Sequence, residues 1–193
     1  MWGVLSAVIA FAIGAAATSP LLEWRDPVYI AAGLFGVVAM AFLAFQPLLA
    51  AGRLPGLSLQ RSRRIHRLMG AALVAAVVLH VVGLWITSPP DMIDALTFTS
   101  PTPFSNWGVA AMWAVFAAAL LALFRRRVGL RVFRIGHTSL VVVIVTTSAI
   151  HALLIEGTME TVSKVILCGF VLLLTAKVVI ERRAWVKRKP LRE

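Results

Sequence analysis

Six apolar segments, separated by short polar connectors, constrain this chain more than any other feature of its sequence. Each is close to the roughly 20 residues that an α-helix needs to cross a membrane. The predicted spans are residues 2–22, 28–51, 65–87, 107–124, 135–155 and 162–180. With 60% hydrophobic and 14% charged residues, the 193-residue chain has too little polar surface to cover a water-soluble core. We therefore expect an all-α, polytopic membrane bundle of six helices.

The basic residues alternate from one connector to the next. Seventeen of the 19 lysine and arginine residues lie in the second connector and the helix start that follows it, in the fourth connector, or in and after the end of the sixth segment. The other two basic residues are Arg25, in the first connector, and Lys164, at the start of the sixth segment, while the other connectors hold six of the eight acidic residues. Basic loops of membrane proteins are cytoplasmic, so both termini are predicted to be cytoplasmic in a plasma membrane, such as a bacterial inner membrane. The charge thus reports topology and contact with lipid, and we expect no nucleic-acid partner.

Residues 1–193 are expected to form one domain that ends in a basic cytoplasmic tail over residues 181–193. The first segment is expected to be a retained helix because no basic residue precedes it, with a cleaved signal peptide as the alternative. Connector 88–106 contains four prolines and is expected to be an ordered irregular loop, either a solvated link or a lid over an outer site. Cys168 is the only cysteine, which excludes an internal disulfide and a cysteine-based metal site.

The four histidines occur at two identical intervals. His66 and His80 lie 14 residues apart in the third segment, and His137 and His151 lie 14 residues apart in the fifth. Fourteen helical residues make almost four turns, so both histidines of a segment share one face and stand roughly 21 Å apart along the axis. The third and fifth segments run in the same direction. The spacing therefore predicts that His66 faces His137 near the cytoplasm, and that His80 faces His151 near the outer side.

Two imidazoles that face each other between helices suit the axial positions of haem iron. This predicts haem bound non-covalently between the third and fifth helices, with the four histidines as metal ligands. Zinc fits less well, because each pair lacks a Cys, Asp or Glu at the same depth. A small transporter that uses the histidines as a proton relay is the alternative from another class. Gly70, Gly83 and Gly136 would let a flat macrocycle approach, although close helix packing explains them nearly as well.

Haem also carries propionates, and arginine can hold a carboxylate by two parallel hydrogen bonds. Arg64, Arg67 and Arg134 lie at the depth of the inner histidine pair and are the candidate cofactor-binding residues there. On the outer side only Arg25 and Lys164 are basic. We therefore expect Trp, Ser, Thr or water to hold the outer propionates.

Two histidine motifs of this chain point to a family. The first is Arg63-Arg-Ile-His66-Arg-Leu-Met-Gly70 followed by His80, and the second is Arg134-Ile-Gly-His137 followed by His151. They resemble the ferric reductase-like transmembrane domain, a superfamily of ferric reductases, NADPH oxidases and the membrane subunit of the bacterial periplasmic methionine sulfoxide reductase. The resemblance implies two stacked b-type haems that pass electrons across the membrane, bound by the inner and the outer histidine pair.

We therefore expect a diheme cytochrome that passes single electrons from a cytoplasmic donor to an unidentified outer acceptor. Ferric reductases and NADPH oxidases continue into FAD and NADPH domains, whereas no dinucleotide-binding glycine fingerprint occurs in these 193 residues. A stand-alone form is expected, an electron-transfer component whose donor is a separate flavoprotein carrying FAD or FMN, or membrane quinol. The alternatives are a haem subunit feeding a periplasmic reductase, such as methionine sulfoxide reductase, and a quinol-linked cytochrome of the b or b561 type.

Overall fold

The computed structural model describes residues 1–187, with side chains for residues 1–181. This part of the chain is all-α. Its helices are α1 (Trp2–Ala17), α2 (Pro27–Ala51), α3 (Leu59–Thr87), α4 (Pro89–Leu96), α5 (Pro103–Leu123), α6 (Leu130–Leu154) and α7 (Thr161–Lys187), with a short 3-10 turn at Pro20–Leu22. Every helix except α4 belongs to a span long and apolar enough to cross a membrane. The prediction of a polytopic membrane bundle with six spans is confirmed.

Several helices are longer than the apolar segments that predicted them. Helix α3 begins at Leu59 rather than at residue 65, because Ser58 caps it by accepting a hydrogen bond from the backbone N–H of Arg61. Hydropathy marks only the part of a helix inside the hydrocarbon, and arginine is a good helix former outside it. Helix α7 likewise continues through part of the predicted tail as far as Lys187. Residues 188–193 lie outside the described residues.

Connector 88–106 was predicted to be irregular throughout, and that prediction is wrong for its first half. Residues Pro89–Leu96 form α4. Two adjacent prolines suit the first helical turn, where their fixed φ is helical and their missing N–H is not needed. Asp91 lies in the same turn, where its charge is favourable, and accepts a hydrogen bond from Ser88 Oγ.

The arginine-rich connectors lie at one end of the bundle, which we call the basic end. Trp2 Nε1 donates a hydrogen bond of 2.9 Å to the Pro55 carbonyl, so α1 begins beside the α2–α3 connector. Arg53 of that connector pairs with Glu181 near the end of α7. Helices α3 and α6 both begin at the basic end and are therefore parallel. The end that carries the α1–α2 and α6–α7 connectors is called the opposite end.

Two helical hairpins form the frame of the bundle. Helix α2 packs along α3, and α5 packs along α6, while α7 contacts α1, α2 and α6. Ser62 Oγ of α3 donates to the Leu49 carbonyl of α2 at 2.8 Å, a buried bond that fixes the first hairpin. Helices α3 and α6 do not pack along their backbones. The space between them is crossed instead by side chains, and these include all four histidines.

Candidate functional site

Two pairs of imidazole rings bridge α3 and α6. His66 and His137, near the basic end, have ring centres 6.4 Å apart and ring planes at 79°. His80 and His151, near the opposite end, also have centres 6.4 Å apart, with planes at 76°. The structure thus brings the histidines together in the two pairs that their spacing predicts.

The distance between the two ring centres, 6.4 Å in both pairs, distinguishes between possible metal geometries. A metal–imidazole bond is about 2 Å long and the ring centre lies about 1.2 Å behind the nitrogen, so two rings opposed on one metal ion have centres about 6.4 Å apart. Two rings at the tetrahedral angle on zinc would have centres about 5.2 Å apart. Residues 1–181 also contain no group of three or more His, Cys, Asp and Glu that could hold a metal ion. The separation fits two opposed axial ligands, as on haem iron, better than a tetrahedral zinc site.

Backbone carbonyls orient the opposite-end pair. His80 Nδ1 lies 2.8 Å from the Ala32 carbonyl oxygen of α2, and His151 Nδ1 lies 2.9 Å from the Phe104 carbonyl oxygen of α5. A carbonyl only accepts, so Nδ1 must carry the proton in both rings. Nε2 of each ring then keeps its lone pair. That is the tautomer, and the type of supporting bond, found in metal-binding histidines.

A glycine follows each of these carbonyls by four residues and makes room for the ring. A Cβ atom at Gly36 would lie 3.1 Å from His80 Nδ1, and a Cβ atom at Gly108 would lie 2.7 Å from His151 Nδ1. Neither glycine was predicted from the sequence to belong to the site, because both lie in α2 and α5 rather than in the histidine helices. The arrangement of acceptor, glycine and histidine therefore occurs in both hairpins.

The glycines that the sequence analysis did select contact other parts of the bundle. A Cβ atom at Gly83 would lie 2.7 Å from Ala32 Cβ, and one at Gly136 would lie 3.1 Å from Leu121 Cδ2. A Cβ atom at Gly70 would lie 3.6 Å from Gln46 Nε2. Close helix packing, the alternative explanation, accounts for Gly83 and Gly136.

The basic-end pair has a different environment. The Phe133 ring stacks on His137, with centres 5.3 Å apart and planes at 22°. His137 Nδ1 and both polar atoms of the Gln46 amide are buried, with no hydrogen-bond partner in the described part of the chain. Buried polar atoms normally have partners. A bound polar group or water near this pair would satisfy them.

Three arginines predicted to hold propionates lie near the basic-end pair. Arg64 and Arg67 flank His66 in the first turns of α3, and Arg134 precedes His137 by three residues in α6. All three side chains are exposed. Their depth is the one that the sequence predicts, and their role stays a prediction.

A cavity of about 510 Å³ lies at the opposite end and is lined by both His80 and His151. Its volume is within the usual range for small-molecule and cofactor sites, about 300–1,000 Å³. Apolar side chains of α2, α3 and α5 form most of its inner wall, among them Met40, Leu73 and Val115. Helix α4 and the residues after it form another part of the wall. Part of connector 88–106 therefore lines this cavity, and its role as a lid or as a solvated link stays a prediction.

Lys164 is the most notable residue of this cavity. It lies in the first turn of α7, is only 6% exposed, and lines the cavity. Its Nζ atom donates to the Ile155 carbonyl at 2.7 Å. From the sequence no role was predicted for Lys164. Its position inside the predicted sixth span was the available signal, because an ionisable residue within a membrane span is a candidate functional residue.

Comparison with known proteins supports the resemblance. The family described as "ferric reductase like transmembrane component" matches residues 35–148, more than half of the chain. The matched region runs from α2 into α6 and contains His66, His80 and His137. Comparisons with curated proteins and with solved structures gave no match. Members of the family typically bind haem, and the family implies electron transfer in a membrane. The chain belongs to the ferric reductase-like transmembrane component family.

Proposed function

We propose that this protein is a diheme b-type cytochrome that passes single electrons across the plasma membrane. The observation that carries the proposal is the separation of 6.4 Å in both histidine pairs, at two depths of the same two parallel helices. Haem bound at the two sites supplies an iron centre near each end of the bundle that gains and loses one electron. The sites are separated by roughly 21 Å along α3 and α6.

In this proposal one haem would be held by His66 and His137, and the other by His80 and His151. At the opposite end the carbonyls of Ala32 and Phe104 fix the proton on Nδ1, which orients Nε2 and makes the ring a stronger ligand. With two histidines holding each haem, the bound group would pass electrons to an outer acceptor without that acceptor binding to the metal.

Other residues would bind the haem propionates or line the two sites with apolar side chains. Arg64, Arg67 and Arg134 are placed to bind propionates at the basic end, where the arginine fork matches a carboxylate. Apolar side chains line much of the opposite-end cavity around His80 and His151. A low-dielectric wall strengthens the influence of every nearby charge on the site.

The basic end is proposed to face the cytoplasm, because basic loops stay on that side of the membrane. A reporter fused to Glu193 that is active only in the cytoplasm should therefore be active, and one that is active only outside should be silent. Both fusions should be compared at equal abundance in the membrane. The reverse pattern would exchange the donor side and the acceptor side.

The electron donor is proposed to be a flavoprotein or quinol that these 193 residues do not themselves supply, because they contain no dinucleotide-binding fingerprint. Purified haem-loaded protein should stay oxidised when mixed with NADPH alone. Adding a flavoprotein reductase, or a reduced quinone analogue, should then reduce it, and whichever works identifies the donor class. Fast reduction by NADPH alone, in a preparation free of flavin, would contradict this part of the proposal.

Transmembrane electron transfer can be tested in sealed vesicles that contain the purified protein. Ferricyanide is trapped inside and dithionite is added outside. We expect the trapped ferricyanide to be reduced in vesicles with wild-type protein, and to stay oxidised in vesicles with His80→Ala. Equal rates in both would mean that electrons do not pass through the histidine sites.

A haem-loaded protein that is inactive in vesicles but active with a partner reductase would favour the alternative of a subunit that feeds such a reductase.

A further inference from the structure

Lys164 is a buried cation without a matching carboxylate. Its side chain is 6% exposed, and its hydrogen bond is to a neutral carbonyl, that of Ile155. In the described part of the chain the one ion pair joins Arg53 to Glu181, at the basic end. A charge removed from water is costly unless it is paired, and a charge within a membrane span more so. The arrangement therefore indicates a ligand that brings negative charge.

The position of Lys164 is fixed by tight packing of the α6–α7 connector on α2. Thr158 packs directly against Gly33, so closely that a Cβ atom added to Gly33 would overlap the hydroxyl group of Thr158. Tyr29 packs in the same way against Gly157, where a Cβ atom would lie 2.8 Å from the phenolic oxygen. These contacts fix the connector that supplies the Ile155 carbonyl. Nζ is thereby held in the wall of the opposite-end cavity.

We propose that Lys164 anchors a carboxylate-binding site in the cavity that contains His80 and His151, an inference that rests on the proposed function. An ammonium group has three donors, and one of them is used by Ile155. The others are available to a carboxylate, with which an ammonium forms strong, charge-assisted hydrogen bonds. Arg25 lines the same cavity and adds positive charge near its mouth.

The acidic residues of the cavity do not fill this role. Asp91, Asp94 and Glu156 line it, but all three are exposed and none forms an ion pair with Lys164. The carboxylate must therefore come from a bound molecule. It has two sources, a propionate of haem at the opposite-end site or the carboxylate of a ferric chelate that accepts the electron.

The test compares Lys164→Met with Lys164→Arg, which keeps the charge, and with Lys177→Met. Lys177 is an exposed lysine in the second half of α7, toward the basic end, and serves as the matched control. The first measurement is a redox titration of the purified haem-loaded protein, and the second is steady-state reduction of two acceptors. One acceptor is ferric citrate, a carboxylate chelate, and the other is the cationic complex hexaammineruthenium(III).

If the carboxylate is a propionate, Lys164→Met should move one of the two titration steps to a lower potential. Loss of a positive charge disfavours the added electron, and we expect about a tenfold change in that reduction equilibrium, or about 59 mV. If the carboxylate belongs to the chelate, both steps should stay in place. The KM for ferric citrate should then rise about tenfold, as expected for the loss of one charge-assisted hydrogen bond, with the ruthenium complex unaffected. Lys164→Arg should largely restore wild-type behaviour, and Lys177→Met should match wild type.

Two measurements on the wild-type chain keep the proposal testable if Lys164→Met does not reach the membrane. Haem whose propionates are methyl esters should occupy the opposite-end site less fully than haem if the ligand is a propionate. Iron-free citrate should inhibit reduction of ferric citrate but not of the ruthenium complex if the ligand is the chelate. The proposal is overturned if Lys164→Met changes neither the titration steps nor the KM for ferric citrate, if the methyl esters of haem occupy the opposite-end site as fully as haem, and if iron-free citrate does not inhibit. A wild-type protein without haem would instead overturn the proposed function.

Discussion

Replacing His80 or His151 with alanine is expected to remove one of two haem groups from the purified protein and to leave the other bound. Both residues belong to the opposite-end pair, and one imidazole alone lacks the opposed partner that lies 6.4 Å away. His66→Ala and His137→Ala should remove the other haem. Haem content per chain and reduced-minus-oxidised spectra should therefore sort the four variants into two classes of two.

Measurements of electron transfer should separate the variants of the opposite-end pair from those of the basic-end pair. Variants of the opposite-end pair should still be reduced by a donor acting at the basic end, but should not pass electrons to an acceptor at the other side. An emptied site also leaves a void, which can cost several kcal/mol, so the comparison applies to variants that accumulate in the membrane. Grouping of His66→Ala with His80→Ala would contradict the account. Those two rings are roughly 21 Å apart along α3 and cannot share an iron.

Gly108→Ala is expected to weaken or empty the opposite-end site although it removes no ligand. Its new Cβ atom would lie 2.7 Å from His151 Nδ1, so the ring must move and its bond to the Phe104 carbonyl must lengthen. Gly36→Ala should have a smaller effect of the same kind, because its Cβ atom would lie 3.1 Å from His80 Nδ1. The measurement is the occupancy and spectrum of the opposite-end haem, with the basic-end haem as an internal reference.

Gly169→Ala is the matched control for this series. Gly169 lies within α7, and a Cβ atom there would meet nothing within 4 Å. Alanine is favoured over glycine inside a helix by up to about 1 kcal/mol, so this variant should be as stable as wild type or more stable. If Gly108→Ala and Gly169→Ala both kept two haems with wild-type spectra, the proposed support of His151 by α5 would be wrong.

The six spans and the pairing of the histidines could be predicted because both depend on short-range periodicity. Apolar segments of about 20 residues report where the hydrocarbon lies. An interval of 14 residues fixes which face and which depth each histidine occupies. The third and fifth of successive spans cross in the same direction, so α3 and α6 are parallel and the pairs follow from one helix direction and one spacing.

The supporting contacts could not be predicted because they depend on the register of one helix against another. His80 meets the carbonyl of Ala32 and His151 that of Phe104, each nearly 50 residues distant. Every residue has a carbonyl, so no side chain marks the acceptor. Gly36 and Gly108 become recognisable only when the hairpins are packed. Lys164 likewise acquires its importance from the folding of the α6–α7 connector onto α2.

Electron paramagnetic resonance of the oxidised, purified protein tests the central claim most directly, because bis-histidine ligation leaves ferric haem low-spin. The account predicts two low-spin ferric haems per chain, with no high-spin signal, and the loss of one low-spin component in each single histidine variant. A wild-type protein that is correctly inserted but contains no haem, or that contains a high-spin haem with an open axial position, would contradict it.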